Sequence, residues 1–121
     1  MYIEDGKNLE MNKYKSIIVG CGKIGSLSDE DYFLSHANAY KKNRNFKLVC
    51  GVDIKKANRK KFENKFKVSS SKNLINAIND HKPDIISVCT PDKTHYTIVK
   101  QILINKNIPR IIFLEKPCFQ N

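Results

Sequence analysis

No run of apolar residues in this chain approaches the ~18 that a membrane-spanning helix needs, and the N-terminus lacks the basic-then-apolar layout of a secretory signal. A cytoplasmic protein with no membrane partner is the expectation. The four cysteines, Cys21, Cys50, Cys89 and Cys118, form no Cys-x-x-Cys pair and have no histidines at metal-ligand spacing. Neither a disulfide framework nor a metal site is therefore expected. Cys50 and Cys89 fall in apolar runs, where a thiol behaves as a small apolar group, and Cys118 near the chain end is the one expected to be exposed. Acidic residues are scarce, 12 against 22 basic ones, for a net charge of +10. That surplus attracts polyanions nonspecifically and helps an anionic cofactor to approach. In a chain rich in Lys, Asn and Ile it does not amount to a specific nucleic-acid surface. Internal repeats and low-complexity linkers are also missing. The 121 residues suffice for one domain with a real core and are short for a two-domain enzyme.

What is present centres on one stretch, Ser16-Ile17-Ile18-Val19-Gly20-Cys21-Gly22-Lys23-Ile24-Gly25. A short β-branched run leads straight into Gly-x-Gly-x-x-Gly, the way a dinucleotide-binding βαβ unit begins. The first glycine allows a tight turn out of the strand, the second lets a pyrophosphate approach the backbone, and the third permits close helix packing. Backbone N–H groups there can hold phosphates without a cationic side chain. The competing reading is a plain structural turn. Asp53, followed by Ile54, ends a second apolar run, where a carboxylate can accept hydrogen bonds from both hydroxyls of an adenosine ribose and repel a 2′-phosphate. NAD is thus favoured and NADP remains possible, because Lys55 and Lys56 directly downstream soften the repulsion. A turn residue or helix cap is the alternative for Asp53.

The remaining pattern alternates strand and helix. Residues 1–13 read as a polar extension and residues 14–121 as the domain. Strands are expected at 15–19, 46–52, 67–69, 85–90 and 110–114. Helices are expected at 35–42, with Ala37 and Ala39 packing on the sheet, and at 56–66, with Ala57, Phe62 and Phe66 inward. Two more are expected at 72–80, capped by Ser71 with His81 following, and at 95–105, capped by Thr94. Alternation of this kind predicts an α/β, doubly wound parallel sheet of about five strands with right-handed crossovers. The candidate functional residues then gather at the strand C-termini. An acidic insertion, residues 26–34, interrupts the expected helix start after Gly25; it either caps a helix at Ser28 or Asp29 or folds over the cofactor.

Three motifs in order, Gly20-Cys21-Gly22-Lys23-Ile24-Gly25, Cys89-Thr90-Pro91-Asp92-Lys93-Thr94-His95 and Glu115-Lys116-Pro117, resemble the Gfo/Idh/MocA oxidoreductases. The segment His36-Ala37-Asn38-Ala39-Tyr40 is also similar to the family's first helix. The resemblance runs from about Lys15 to Pro117 and implies an NAD(P)-binding Rossmann domain of an oxidoreductase acting on a sugar, polyol or nucleotide-sugar hydroxyl. It implies that Thr90, Pro91 and His95 line the nicotinamide half of the site, with Glu115 nearby. Lys116 would orient the reactants or assist proton transfer, and Pro117 would follow a cis bond. Taken alone, His95 reads as a first-turn helix residue and Lys116 as a surface lysine. The family's second, substrate-binding domain has no counterpart among these residues. The expectation is a cofactor-binding half that turns over little by itself and meets a separate substrate domain or self-associates through its fifth strand. A stand-alone nucleotide-binding sensor without turnover is the alternative, and a domain that has lost its ligand and serves only in association is a third reading.

Overall fold

The computed structural model describes residues 13–22 and 36–114. Five strands form one sheet: β1 (Tyr14–Val19), β2 (Phe46–Val52), β3 (Ser70–Ser71), β4 (Ile85–Val88) and β5 (Ile111–Leu114). Helices α1 (His36–Lys42), α2 (Lys56–Phe66), α3 (Leu74–His81) and α4 (His95–Leu103) alternate with them. All four strand pairings are parallel, so each connection must cross back over a face of the sheet. The spatial order β3-β2-β1-β4-β5 means that the chain winds outward from β1 to one edge, then returns to β4 and winds to the other. The sheet is the doubly wound parallel one expected, and its switch point lies at the C-terminal ends of β1 and β4.

Strand periodicity sorts the core into two layers. Ile17 and Val19 of β1 point to one face, where Val52, Ala77, Ile78, Ile86, Val88 and Ile102 meet them. Ile18 points to the other, with Ala37, Tyr40, Leu48, Phe62 and Phe66. Burial on both faces is why β1 and β4 carry mostly apolar residues rather than an alternating pattern, Ser16 and Ser87 being their buried polar exceptions. Gly51 in β2 makes room for this second layer: a Cβ there would lie 2.6 Å from the Phe62 ring and 2.8 Å from Cys21 Sγ. The same layer encloses a polar cluster. Ser87, fully buried, hydrogen-bonds Tyr40 OH at 2.6 Å and His36 Nδ1 at 3.2 Å, which satisfies groups that would otherwise be costly to bury.

Several expected boundaries shift, each for a local reason. The third strand is Ser70–Ser71, not 67–69, because Lys67 adopts a left-handed conformation (φ 57°) that closes α2 by donating to Glu63 O. Asn73, not Ser71, caps α3: its Oδ1 accepts from Asn76 N at 2.9 Å while Ser71 Oγ accepts from Asn73 N. His81 thereby falls inside the last turn of α3 rather than after it. Thr94 precedes α4 but makes no capping bond to it, and α4 ends at Leu103, two residues early, as Ile104 and Asn105 tighten the chain. Arg110 lies outside β5 because its N–H and that of Ile111 both turn to Asp84 O. β4 ends at Val88, leaving Cys89 half-buried beyond the strand. Ala39 and Ala57 are exposed rather than packed inward. Helical spacing puts Ala37 and Tyr40 on the buried face of α1 and Phe62 with Phe66 on that of α2.

Candidate functional site

At the switch point, Gly20 leaves β1 with φ 94° while its N–H donates to Val52 O at 2.7 Å. This is a conformation glycine adopts freely. A Cβ at Gly20 would also lie 3.0 Å from the Cys89 carbonyl and from Thr90 Cγ2, so the first glycine is needed both for its turn and for close approach to the β4 end. Gly22 differs. A Cβ there would meet no described atom within 4 Å, as expected of a backbone position left open for a ligand.

Cys21, between them, is fully buried. Its N–H donates to Asp53 Oδ2 at 2.9 Å and its thiol leans on Val52 O at 3.6 Å. Burial, reinforced by the Asp53 carboxylate, pushes the thiol far above its ordinary range, so it stays protonated and is a poor nucleophile. Asp53 follows β2 directly. Its Oδ2 also accepts from Asn58 Nδ2 at 3.1 Å, and its Oδ1 accepts from Lys55 N at 2.8 Å in an Asx turn. An ionised carboxylate offers about four acceptor positions, and among the described residues these donors leave one on Oδ1 open. The turn-residue and ligand readings of Asp53 are therefore compatible in one geometry. Arg59 locks the same turn, its Nη1 donating to Asp53 O at 2.9 Å and Ile54 O at 3.1 Å. Neither Asn58 nor Arg59 was foreseen from sequence. The only signal available is their position in the first turns of α2, five and six residues after Asp53.

The β4 end is built from hydroxyls and a ring. Thr94 Oγ1 bonds Thr90 Oγ1 at 2.7 Å and Pro91 O at 2.6 Å. His95 Nε2 donates to Thr90 O at 2.8 Å; a carbonyl only accepts, so the neutral ring carries its proton on Nε2. Nδ1 then lies 3.8 Å from Asp92 Oδ1.

These pieces border one cavity of about 780 Å³, within the size range of cofactor sites. Gly20 and Gly22 form its floor, Asp53, Ile54, Lys55 and Asn58 one end, and Thr90, Pro91 and Thr94 the other. Ile54 is 83% exposed. His95 is not among the lining residues; its ring is turned onto the Thr90 carbonyl instead. Lys23, Ile24, Gly25, the 26–34 insertion, Glu115, Lys116, Pro117, Cys118 and residues 1–12 lie outside the described residues. Among the described residues no helix is long and apolar enough to cross a membrane.

The sequence model of an oxidoreductase family, GFO_IDH_MocA, described as an NAD-binding Rossmann fold, matches residues 14–121. No curated protein matches the chain in sequence. Among solved structures, the WlbA dehydrogenase of Chromobacterium violaceum, in complex with NADH and UDP-GlcNAcA, superposes with a TM-score of 0.70 at 23% identity, over 88% of this chain and 28% of that one. The myo-inositol 2-dehydrogenase of Lactobacillus plantarum gives 0.69 at 20% identity, over 87% and 28%. An oxidoreductase of Agrobacterium radiobacter, in complex with NAD+, L-tartaric acid and magnesium, gives 0.66 at 14% identity, over 84% and 27%. At these identities the likeness is one of fold. The chain spans little more than a quarter of the length of these neighbours.

Proposed function

The chain belongs to the Gfo/Idh/MocA oxidoreductase family, and on that premise we propose that its NAD-binding fold is the cofactor half of an oxidoreductase acting on a sugar, polyol or nucleotide-sugar hydroxyl. The carrying observation is the Asp53 carboxylate, held at the end of β2 against the Cys21 N–H with an acceptor position still open beside the cavity. In this reading Asp53 receives the adenosine ribose hydroxyls, and Ile54 offers an exposed apolar surface beside them. Gly20, Cys21, Gly22, Lys23, Ile24 and Gly25 form the pyrophosphate loop, with Cys21 bracing Asp53 rather than touching phosphate.

Bound NAD supplies the hydride acceptor at its nicotinamide ring. Thr90 and Pro91 border that half of the site, and His95 fixes their turn by holding the Thr90 carbonyl. Glu115 and Lys116 are assigned by their motif to the reacting end, Lys116 orienting the reactants or moving a proton. The substrate class is favoured by the polyol and nucleotide-sugar dehydrogenases among the structural neighbours. Turnover would need a substrate-binding domain. β5 is the edge strand on that side, and its Ile111, Phe113 and Leu114 are 55%, 49% and 46% exposed, an apolar surface suited to such a domain or to a second copy. Light scattering tests the second-copy alternative; a monodisperse monomer at high concentration would remove it.

Calorimetric titration with NAD and NADP tests the cofactor assignment. Micromolar binding of NAD, weaker for NADP and weakened by Asp53→Ala, is the expected result. Binding of neither cofactor would overturn it.

A further inference from the structure

We propose that Asn58 is the specificity-determining residue for NAD over NADP, acting by immobilising Asp53; this rests on the assignment of the cavity to a dinucleotide. Among the described residues, Cys21 N–H and Lys55 N–H reach the Asp53 carboxylate from the backbone, and Asn58 Nδ2, 3.1 Å from Oδ2, is the donor supplied by a side chain. With both oxygens engaged, the carboxylate cannot rotate about its Cβ–Cγ bond without giving up hydrogen bonds. It therefore keeps its charge where a 2′-phosphate would sit.

The surroundings make that restraint necessary. Lys55 and Lys72 both line the cavity, Lys72 following Ser71, whose carbonyl accepts from Asp53 N–H, and two cations beside Asp53 attract a 2′-phosphate unless a fixed negative charge opposes them. Arg59 does not add to that pull, since its Nη1 is committed to the Asp53 and Ile54 carbonyls and it does not line the cavity. Remove the Asn58 amide and Oδ2 keeps only the Cys21 N–H while Oδ1 keeps the Lys55 N–H, so the carboxylate is held less firmly against the pull of the lysines and opposes the extra phosphate less well. Asn58 is a positioning residue in this scheme, not a catalytic one.

The test is calorimetry of NAD and NADP on the full chain and on Asn58→Ala and Asn58→Leu, the second keeping the volume but not the donor, with thermal melts to show that each variant is folded. The expected result is a fall of about tenfold in the NAD-to-NADP affinity ratio, the scale of one lost hydrogen bond to a charged group, with NAD affinity itself changed by less than the ratio. Parallel weakening of both cofactors would mean a merely structural Asn58 and would overturn the proposal. So would an unchanged ratio. A parent chain that binds NAD and NADP equally overturns it while leaving the dinucleotide assignment standing; a parent chain that binds neither removes that assignment and this proposal with it.

Discussion

At the Asp53 end of the cavity a carboxylate is braced by surrounding donors yet keeps an acceptor position open. At the Thr90 end the polar groups are turned on one another, hydroxyl to hydroxyl, hydroxyl to carbonyl and imidazole to carbonyl. The first end keeps a carboxylate acceptor for a ligand, whereas at the second the Thr94 hydroxyl and the His95 Nε2 proton are committed to shaping a turn. Recognition should therefore be concentrated in the β1–β2 half, while the β4 half contributes mainly shape. Gly20 joins the two, tied to Val52 O on one side and pressed against the Cys89 carbonyl on the other.

The largest expected effect comes from crowding the packing beneath the Asp53 end. Gly51→Ala puts a methyl 2.6 Å from the Phe62 ring and 2.8 Å from Cys21 Sγ, and both neighbours are fully buried. A loss of about 3 kcal/mol in urea denaturation is expected, at the upper end of overpacking costs, with cofactor binding lost alongside because Cys21 carries the N–H that braces Asp53. A substitution accepted at no cost would mean that this half is not tightly coupled.

Next is Asp53→Ala. It removes the open acceptor together with the carboxylate oxygen to which the Cys21 N–H donates. NAD affinity should fall by about 2 kcal/mol, the worth of hydrogen bonds to a charged group, as read by calorimetry. The matching change at the other end, Thr94→Val, removes the bonds to Thr90 Oγ1 and Pro91 O. It should lower stability by about 1.5 kcal/mol while changing NAD affinity much less than Asp53→Ala does. Equal losses of affinity from the two variants would break the contrast between the ends.

Much of this was legible in the sequence, for a physical reason. β4 and the C-terminal halves of β1 and β2 are buried on both faces, so apolar residues dominate there, and Gly20 and Asp53 mark strand ends because the chain turns there. β3 was misplaced because Ser70–Ser71 has no apolar signature and is set by where Lys67 ends α2. Ser71 and Asn73 are both good caps, and only the register of α3 chooses between them. Thr94 reads as a cap from its neighbours in sequence, yet its hydroxyl is claimed by Thr90 and Pro91. The bracing of Asp53 by Asn58 and Arg59 depends on how α2 leaves β2, and the Ser87–Tyr40–His36 cluster joins residues 47 and 51 positions apart. No local pattern reports either.

The thiols sharpen the same contrast by the smallest expected effect. Cys21 and Cys50 are buried in the β1–β2 half, whereas Cys89 is half-buried at the β4 end. Burial raises Cys50 from 9.0 to about 11, and it raises Cys21 further, with Asp53 adding to the shift. Because the folded thiols hold protons that unfolded ones release, the unfolded state binds fewer protons above pH 9. Stability is then complete below that pH and falls as pH climbs toward the folded value. Between pH 8 and pH 10 each of these two thiols should contribute about 1 kcal/mol of that loss, measured as the shift in urea midpoint. Cys50→Ala should flatten the alkaline slope by that amount. A slope left unchanged by Cys50→Ala would show that this thiol is open to solvent in the folded chain, and the division of labour between the ends would then rest on hydrogen bonding alone.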